Sequence, residues 1–267
     1  MTNDQLSVQP DEAGAAQIMY DISRGHLVDG PLPEALRSYE GAPVESGLSL
    51  QLAVLDRWIA AGETIGGYKI GWTSRSARDR GGVGFRPFGY ILAGRMLASG
   101  SVVHRADVPN CVIEPEICVT MGRRLGAEKV SVEEARDAVA SVSASFEVIS
   151  ARTPEGVAMP CRIGNGLNNW GLVYGPEHTP DVALDAITVD LLRDGEPAGT
   201  SGSGPDVVDD PYLSLARVAV LLHQYGRALE PGQRVLTGSI LPGAKTEGAS
   251  RYEASFGPLG SVTVEFD

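Results

Sequence analysis

A chain of 267 residues, 43% hydrophobic and 21% charged, is long enough to bury a full core without staples, as one large domain with room for a small cap. Its net charge of −12, without any run of Lys or Arg, argues against a nucleic-acid partner, and no stretch approaches the roughly 20 apolar residues of a membrane span. Cys111, Cys118 and Cys161 fit no zinc spacing, and the acidic segment Met1–Glu12 lacks the basic start and apolar stretch of a signal peptide. Reduced thiols in a cytoplasmic protein are therefore expected.

In chain order, residues 1–12 are expected as a disordered tail. A helix is predicted over Ala13–Arg24, ending at Gly25. A Gly- and Pro-rich loop then spans residues 25–47, with one helical turn near Pro33–Tyr39. Leu48, Leu52, Leu55 and Ile59 share one face of a second helix, with Gly62 at its C-terminal cap. Gly67–Gly71 reads as a short strand. Cys111–Thr120 alternates in period two.

Ser131 and Glu134 form a capping box before a helix predicted over Val132–Ser143, with Ala135, Ala138, Val139 and Val142 as its apolar stripe. Strands follow at Ser145–Ile149, Trp170–Tyr174 and Ile187–Arg193. Pro211 opens a helix running to Tyr225. The chain closes with a strand at Val235–Ile240 and a hairpin of Tyr252–Phe256 and Ser261–Phe266. Runs of strands with few helices predict an α+β fold. No GxGxxG follows a strand, so a dinucleotide-binding fold is not expected.

Four places carry candidate chemistry. Glu114 and Glu116 flank Pro115 in a strand and point to one face, with Cα atoms roughly 6.5–7 Å apart. Such a pair repels unless a cation lies between them, and a hard divalent ion suits oxygen ligands. The alternative is an amphipathic strand with a wet outer face opposite Ile113, Ile117 and Val119. Pro115 also allows an edge strand. Lys69 lies between Gly67 and Gly71, where a ligand could lie against the backbone and a drier lysine could shuttle protons; a solvated edge lysine is the alternative. Glu147 sits among apolar neighbours, as a third ligand or as the partner of an arginine such as Arg152. Asn165, Asn168 and Asn169 lie among glycines and read as turn residues or ligand-facing amides.

These pieces occur in a recognisable order. Gly66–Ser74 (GGYKIGWTS), Pro87-Phe88-Gly89, Glu114-Pro115-Glu116, Phe146–Arg152 (FEVISAR), Gly164–Gly175 and Leu236–Ile240 (LTGSI) resemble the signatures of the 2-keto-4-pentenoate hydratase and 4-oxalocrotonate decarboxylase group. Gln51 has a counterpart as well, and the resemblance covers residues 45–267. It implies the flattened mixed β-roll with flanking helices shared with fumarylacetoacetate hydrolase, here as a helical cap over 1–64 and a catalytic domain over 65–267.

The resemblance also implies Mg²⁺ or Mn²⁺ held by Glu114, Glu116 and Glu147, with Lys69 as the acid/base. Thr73, Ser74, Arg152, Asn165 and Ser239 would be pocket groups, and Pro87-Phe88-Gly89 a turn. The expected partner is a small 2-oxo acid, and a homo-oligomer is expected. Two family aspartates are replaced, at Ser150 and Asn165, and Trp72 stands for a smaller leucine. Hydration of a 2-hydroxy-2,4-dienoate is the first expectation and decarboxylation the second. C–C hydrolysis ranks third, since none of His26, His104, His178 and His223 fits a His–Glu pair. A non-catalytic metabolite-binding scaffold is the reading outside enzymes.

Overall fold

The computed structural model describes residues 10–26, 30–81 and 85–267. The expected tail lies outside the described residues up to residue 9, as do residues 27–29 of the loop. The helices are α1 (Glu12–Ser23), α2 (Glu34–Arg37), α3 (Ser46–Ala60), α4 (Arg75–Gly81), α5 (Val132–Asp137), α6 (Met159–Gly164) and α7 (Pro211–Gln224). The strands are β1 (Ile65–Ile70), β2 (Phe88–Leu92), β3 (Met96–Ala98), β4 (Ser101–Val103), β5 (Cys111–Met121), β6 (Val139–Ser150) and β7 (Asn169–Tyr174). They continue with β8 (Thr188–Arg193), β9 (Glu196–Gly202), β10 (Arg234–Ser239), β11 (Ala244–Lys245), β12 (Ser250–Ser255) and β13 (Ser261–Phe266). No helix among the described residues is long and apolar enough to cross a membrane.

The chain forms two compact units. The first holds the described residues up to Gly62 together with Arg152–Asn168; the second holds Glu63–Ala151 and Asn169–Asp267. The first is therefore discontinuous, whereas a cut at residue 64 treats it as one segment. Its cause lies in the packing of α3 on α6. A Cβ at Gly47 would overlap the Pro160 carbonyl, and one at Gly164 would press on the Leu50 side chain, so both glycines permit close approach of the helices. Asp11 caps α1 by accepting the Gly14 N–H at 2.9 Å. Gly62, at φ 97°, follows α3 in the left-handed conformation expected of a helix terminator. Leu48, Leu52 and Leu55 are buried as expected, but Ile59 is 44% exposed, because the last turn of α3 carries it off the packed face.

The second unit contains two sheets. The larger runs β2-β1-β10-β5-β6-β7-β3, with β11 also on β5; the smaller runs β4-β13-β12-β8-β9. Strands β12 and β13 pack on β6, and β13 also packs on β7, so the sheets share a core. β5 is central, not an edge strand, and both its faces are covered: Ile113, Ile117 and Val119 on one side, Glu116 and Cys118 on the other. This removes the wet-face alternative. Pro115 is tolerated there because it adjoins the irregular β10 pairing between Leu236 and Ser239; its carbonyl accepts the Ile240 N–H at 3.1 Å.

The helix expected over Val132–Ser143 ends at Asp137. The capping box forms as expected, Ser131 accepting from the Glu134 N–H at 3.1 Å. Beyond it Val139 and Val142 enter β6, whose pairing with β5 outweighs local helical spacing. Phe88 and Gly89 begin β2 and do not form a turn: Lys69 pairs with Gly89, and the Pro87 carbonyl takes the Gly71 N–H at 2.7 Å.

Candidate metal and acid/base site

Four strands converge on one face of the larger sheet. Antiparallel register sets Glu114 opposite Glu147 and Glu116 opposite Ser145. β10 lies between β1 and β5, with Lys69 beside Leu236 and Leu236 beside Cys118. Paired residues share a face, so Lys69 and the three carboxylates project together. Beside them lies an apolar cluster of Ile91, Cys118, Leu172 and Leu236. One carboxylate oxygen from each of Glu114, Glu116 and Glu147 falls within 4.8 Å of the other two.

Each side chain is held by identifiable contacts. Lys69 Nζ lies 2.6 Å from Glu147 Oε2. Asn169 Nδ2 donates to the other Glu147 oxygen at 2.9 Å. The Gly238 N–H donates to Glu116 Oε2 at 2.7 Å, and Ser145 Oγ donates to the Glu116 carbonyl at 2.7 Å. Gly238 has φ 122°, and a Cβ there would overlap the Thr73 hydroxyl. Glycine at this position thus lets the backbone amide reach a carboxylate while Thr73 packs behind it.

The charges do not balance. Three carboxylates, two fully buried and Glu114 partly so, face one ammonium. Burial, reinforced by Glu147 and opposed by Lys69, pushes Glu114 up to about 7. Burial also holds Glu116 well above the ordinary carboxylate range, again with Glu147 adding to it. For Lys69, burial pulls the ammonium down, but the attraction of Glu147, Glu114 and Glu116 outweighs it and the net direction is upward. This reverses the direction expected for a drier lysine, because the carboxylates come with it. Surplus negative charge on clustered hard oxygen donors is the chemistry that suits Mg²⁺ or Mn²⁺.

A cavity of about 210 Å³ opens on this cluster, lined by Lys69, Trp72, Thr73, Ser74, Glu114, Glu116 and Ser239 among others. That volume suits a small metabolite; drug-sized ligands take about 300–1,000 Å³. Trp72 adopts φ 59°, unusual for a bulky residue, and its ring meets Phe85 edge-on at 5.6 Å. Gly67 gives no room to a ligand: a Cβ there would overlap the Arg234 carbonyl of the adjacent β10, so this glycine serves strand approach instead.

Seven of the nine sequence-predicted residues belong to this unit: Lys69, Thr73, Ser74, Glu114, Glu116, Glu147 and Ser239. Arg152 and Asn165 belong to the helical unit. There Arg152 is buried with Nη1 donating to the Ser23 carbonyl at 2.9 Å, and Asn165 Nδ2 donates to Asn168 Oδ1 at 3.2 Å. Gln51 is buried in α3 of the same unit. Ser150 donates to the Pro109 carbonyl at 2.8 Å. Asn169 and Gly238 also contribute, and local pattern reads them only as turn or motif residues. The signal for Asn169 is its place at the first position of β7, two strands from Glu116.

Residues 75–265 match the family described as fumarylacetoacetate (FAA) hydrolase C-terminal. The chain is 25% identical over 258 residues to "2-keto-4-pentenoate hydratase 1" of Dechloromonas aromatica (strain RCB), covering 96% of each chain. It is 27% identical over 237 residues to a 4-oxalocrotonate decarboxylase of Pseudomonas sp, covering 88% of this chain and 92% of that one. Its fold matches the 4-oxalocrotonate decarboxylase of Pseudomonas putida G7, solved with magnesium and adipate, at a TM-score of 0.86 and 20% identity, covering 100% of this chain and 99% of that one. With its mixed two-sheet unit and its acidic cluster in place, the chain belongs to the fumarylacetoacetate hydrolase family.

Proposed function

We propose that this protein is a divalent-cation-dependent lyase that enolises a small 2-oxo acid or its dienol, with hydration of a 2-hydroxy-2,4-dienoate as the reaction. The observation that carries this is the buried Lys69–Glu147 pair, 2.6 Å apart, beside two further carboxylates at one small cavity. Glu114, Glu116 and Glu147 would hold the ion. When bound, the ion supplies Lewis-acid stabilisation of the charge that develops on the 2-oxo oxygen.

The remaining work falls to the chain. Lys69, the ammonium paired with Glu147 at the cavity, is the acid that protonates C5 of the dienol. The proton lost from the 2-hydroxyl returns the lysine to its starting state. Water then adds at C4 with a proton at C3, so the sum is dienol plus water. Asn169 fixes one Glu147 oxygen and leaves the other to Lys69. Thr73, Ser74 and Ser239 supply hydroxyls at the cavity, and Trp72 narrows it toward flat, conjugated substrates. A reducing, cytoplasmic setting fits three buried, free cysteines.

Decarboxylation of a 4-oxalocrotonate-like acid is the second reading, favoured by the 27% identity to a decarboxylase. It needs the same proton donor without water addition. The test offers 2-hydroxypenta-2,4-dienoate and 4-oxalocrotonate with Mg²⁺, following ultraviolet loss of the dienol and release of CO₂. Loss of the dienol without CO₂ supports hydration, CO₂ release supports the second reading, and neither signal overturns both.

A further inference from the structure

A second cavity, of about 600 Å³, lies on another side of α4. Ala77 faces the carboxylate cavity, while Arg75, Arg78 and Asp79 line the second one with Arg86, Asp209 and Arg217. Asp209 is buried and receives three guanidiniums: Arg86 Nε at 2.5 Å, Arg78 Nη1 at 2.9 Å and Arg217 Nη1 at 3.2 Å. One carboxylate neutralises one of them. Arg75 turns to the exposed Asp206. Arg78 and Arg217 are only partly covered, 22% and 27% exposed; Arg78 Nη2 donates to the Pro205 carbonyl at 2.5 Å, and both guanidiniums still border the cavity. Arg78 Nε is buried without a hydrogen-bond partner among the described residues. A guanidinium has five N–H donors in a fixed fork, and one carboxylate cannot take them all. Counting Asp79 in the lining and Asp206 on Arg75, four arginines face three carboxylates, so the cavity keeps a positive excess in a chain of net charge −12.

The cavity is also wired to the carboxylate site by backbone contacts. The Asp209 N–H donates to the Thr73 carbonyl at 2.9 Å, and the Arg75 N–H to the Val207 carbonyl at 3.1 Å. Thr73 packs on Gly238, whose N–H holds Glu116.

We propose that this arginine cavity is a separate binding site for a small dianionic oxyanion, a dicarboxylate or phosphate, and that its occupancy is felt at the carboxylate cluster through Asp209 and Thr73. Guanidinium forks match the geometry of both oxyanions, and charge-assisted pairs of this kind are roughly twice as strong as neutral ones.

The test is calorimetric titration of the metal-free protein with succinate, with inorganic phosphate and with acetate. Without a divalent ion the three carboxylates repel anions, so binding reports the arginine cavity and is independent of turnover. One dianion should bind with 1:1 stoichiometry and acetate about tenfold more weakly or worse; which dianion wins identifies the source. Arg217→Gln and, separately, Arg78→Gln should each weaken the dianion about tenfold with unchanged circular dichroism. Two partly exposed positions are used so that a folding failure in one leaves the other to decide. Saturating dianion should shift Mg²⁺ affinity at least about fivefold, the lower range of allosteric coupling. Absence of dianion binding below about 10 mM, near the weak limit of specific recognition, or affinity untouched in both variants, overturns the site. Unchanged Mg²⁺ affinity overturns the coupling.

Discussion

Lys69 Nζ and Glu147 Oε2 lie 2.6 Å apart, with the two side chains 8% and 0% exposed. They come from β1 and β6, strands separated in the sheet by β10 and β5. Together the two side chains span the intervening strands, beside the carboxylates of Glu114 and Glu116. Breaking one partner of a buried pair leaves an uncompensated charge, at a cost of about 3–5 kcal/mol. Lys69→Met should lower metal-free stability by about that amount in urea melts and slow turnover about 10²–10⁴-fold. The same variant should bind Mg²⁺ more tightly, since the ammonium competes with the ion. Near-normal turnover would make Lys69 a structural group.

The raised carboxyls set a pH dependence. A carboxyl whose folded pKa exceeds its unfolded value stabilises the fold when protonated. That contribution is complete below the unfolded value, ordinarily about 4.3 for Glu, and is lost as pH rises through the folded value, about 7 for Glu114. Metal-free protein should therefore melt at lower temperature at pH 8 than at pH 5. Mg²⁺ should raise the melting temperature more at pH 8 than at pH 5. Glu114→Gln should flatten the metal-free slope; a slope of equal size in that variant contradicts the assignment.

The close approach of β1 to β10 makes Gly67 sensitive. A Cβ there meets the Arg234 backbone, which cannot swing aside as a side chain would. Gly67→Ala should destabilise by about 1–3 kcal/mol, the range for overpacking, measured by thermal or denaturant unfolding. It should also displace Lys69 two residues on, so turnover should fall with stability. A variant of unchanged stability would mean that the strands part freely at this point.

Much of this was legible in sequence, and the limits have physical causes. Glu114 and Glu116 could be paired from a single strand because period two is local. Glu147 as their neighbour rests on cross-strand register, which no local spacing encodes. The stripe of Ala135, Ala138, Val139 and Val142 fits a helix, yet β5 claims the last two for β6. β9 is not legible in sequence because Glu196-Pro197-Ala198-Gly199 has poor strand propensity and pairs only at the sheet edge. β2 carries no alternation to read, because its continuous apolar run is buried on both faces. Arg152 and Asn165 are candidates by motif resemblance alone, and their segment belongs to the helical unit, where α3 packs closely on α6.

The most direct measurement is hydrogen–deuterium exchange at C3 of 2-oxopentanoate in D₂O, followed by proton NMR with Mg²⁺ present. It isolates enolisation from hydration, decarboxylation and the identity of the natural side chain. Wild-type protein should exchange the C3 protons catalytically, chelation of the ion should stop it, and Lys69→Met should slow it about 10²–10⁴-fold. Absence of exchange by Mg²⁺-loaded wild type, with pyruvate and longer 2-oxo acids also inert, would contradict an enolising enzyme and leave a scaffold that binds without turnover.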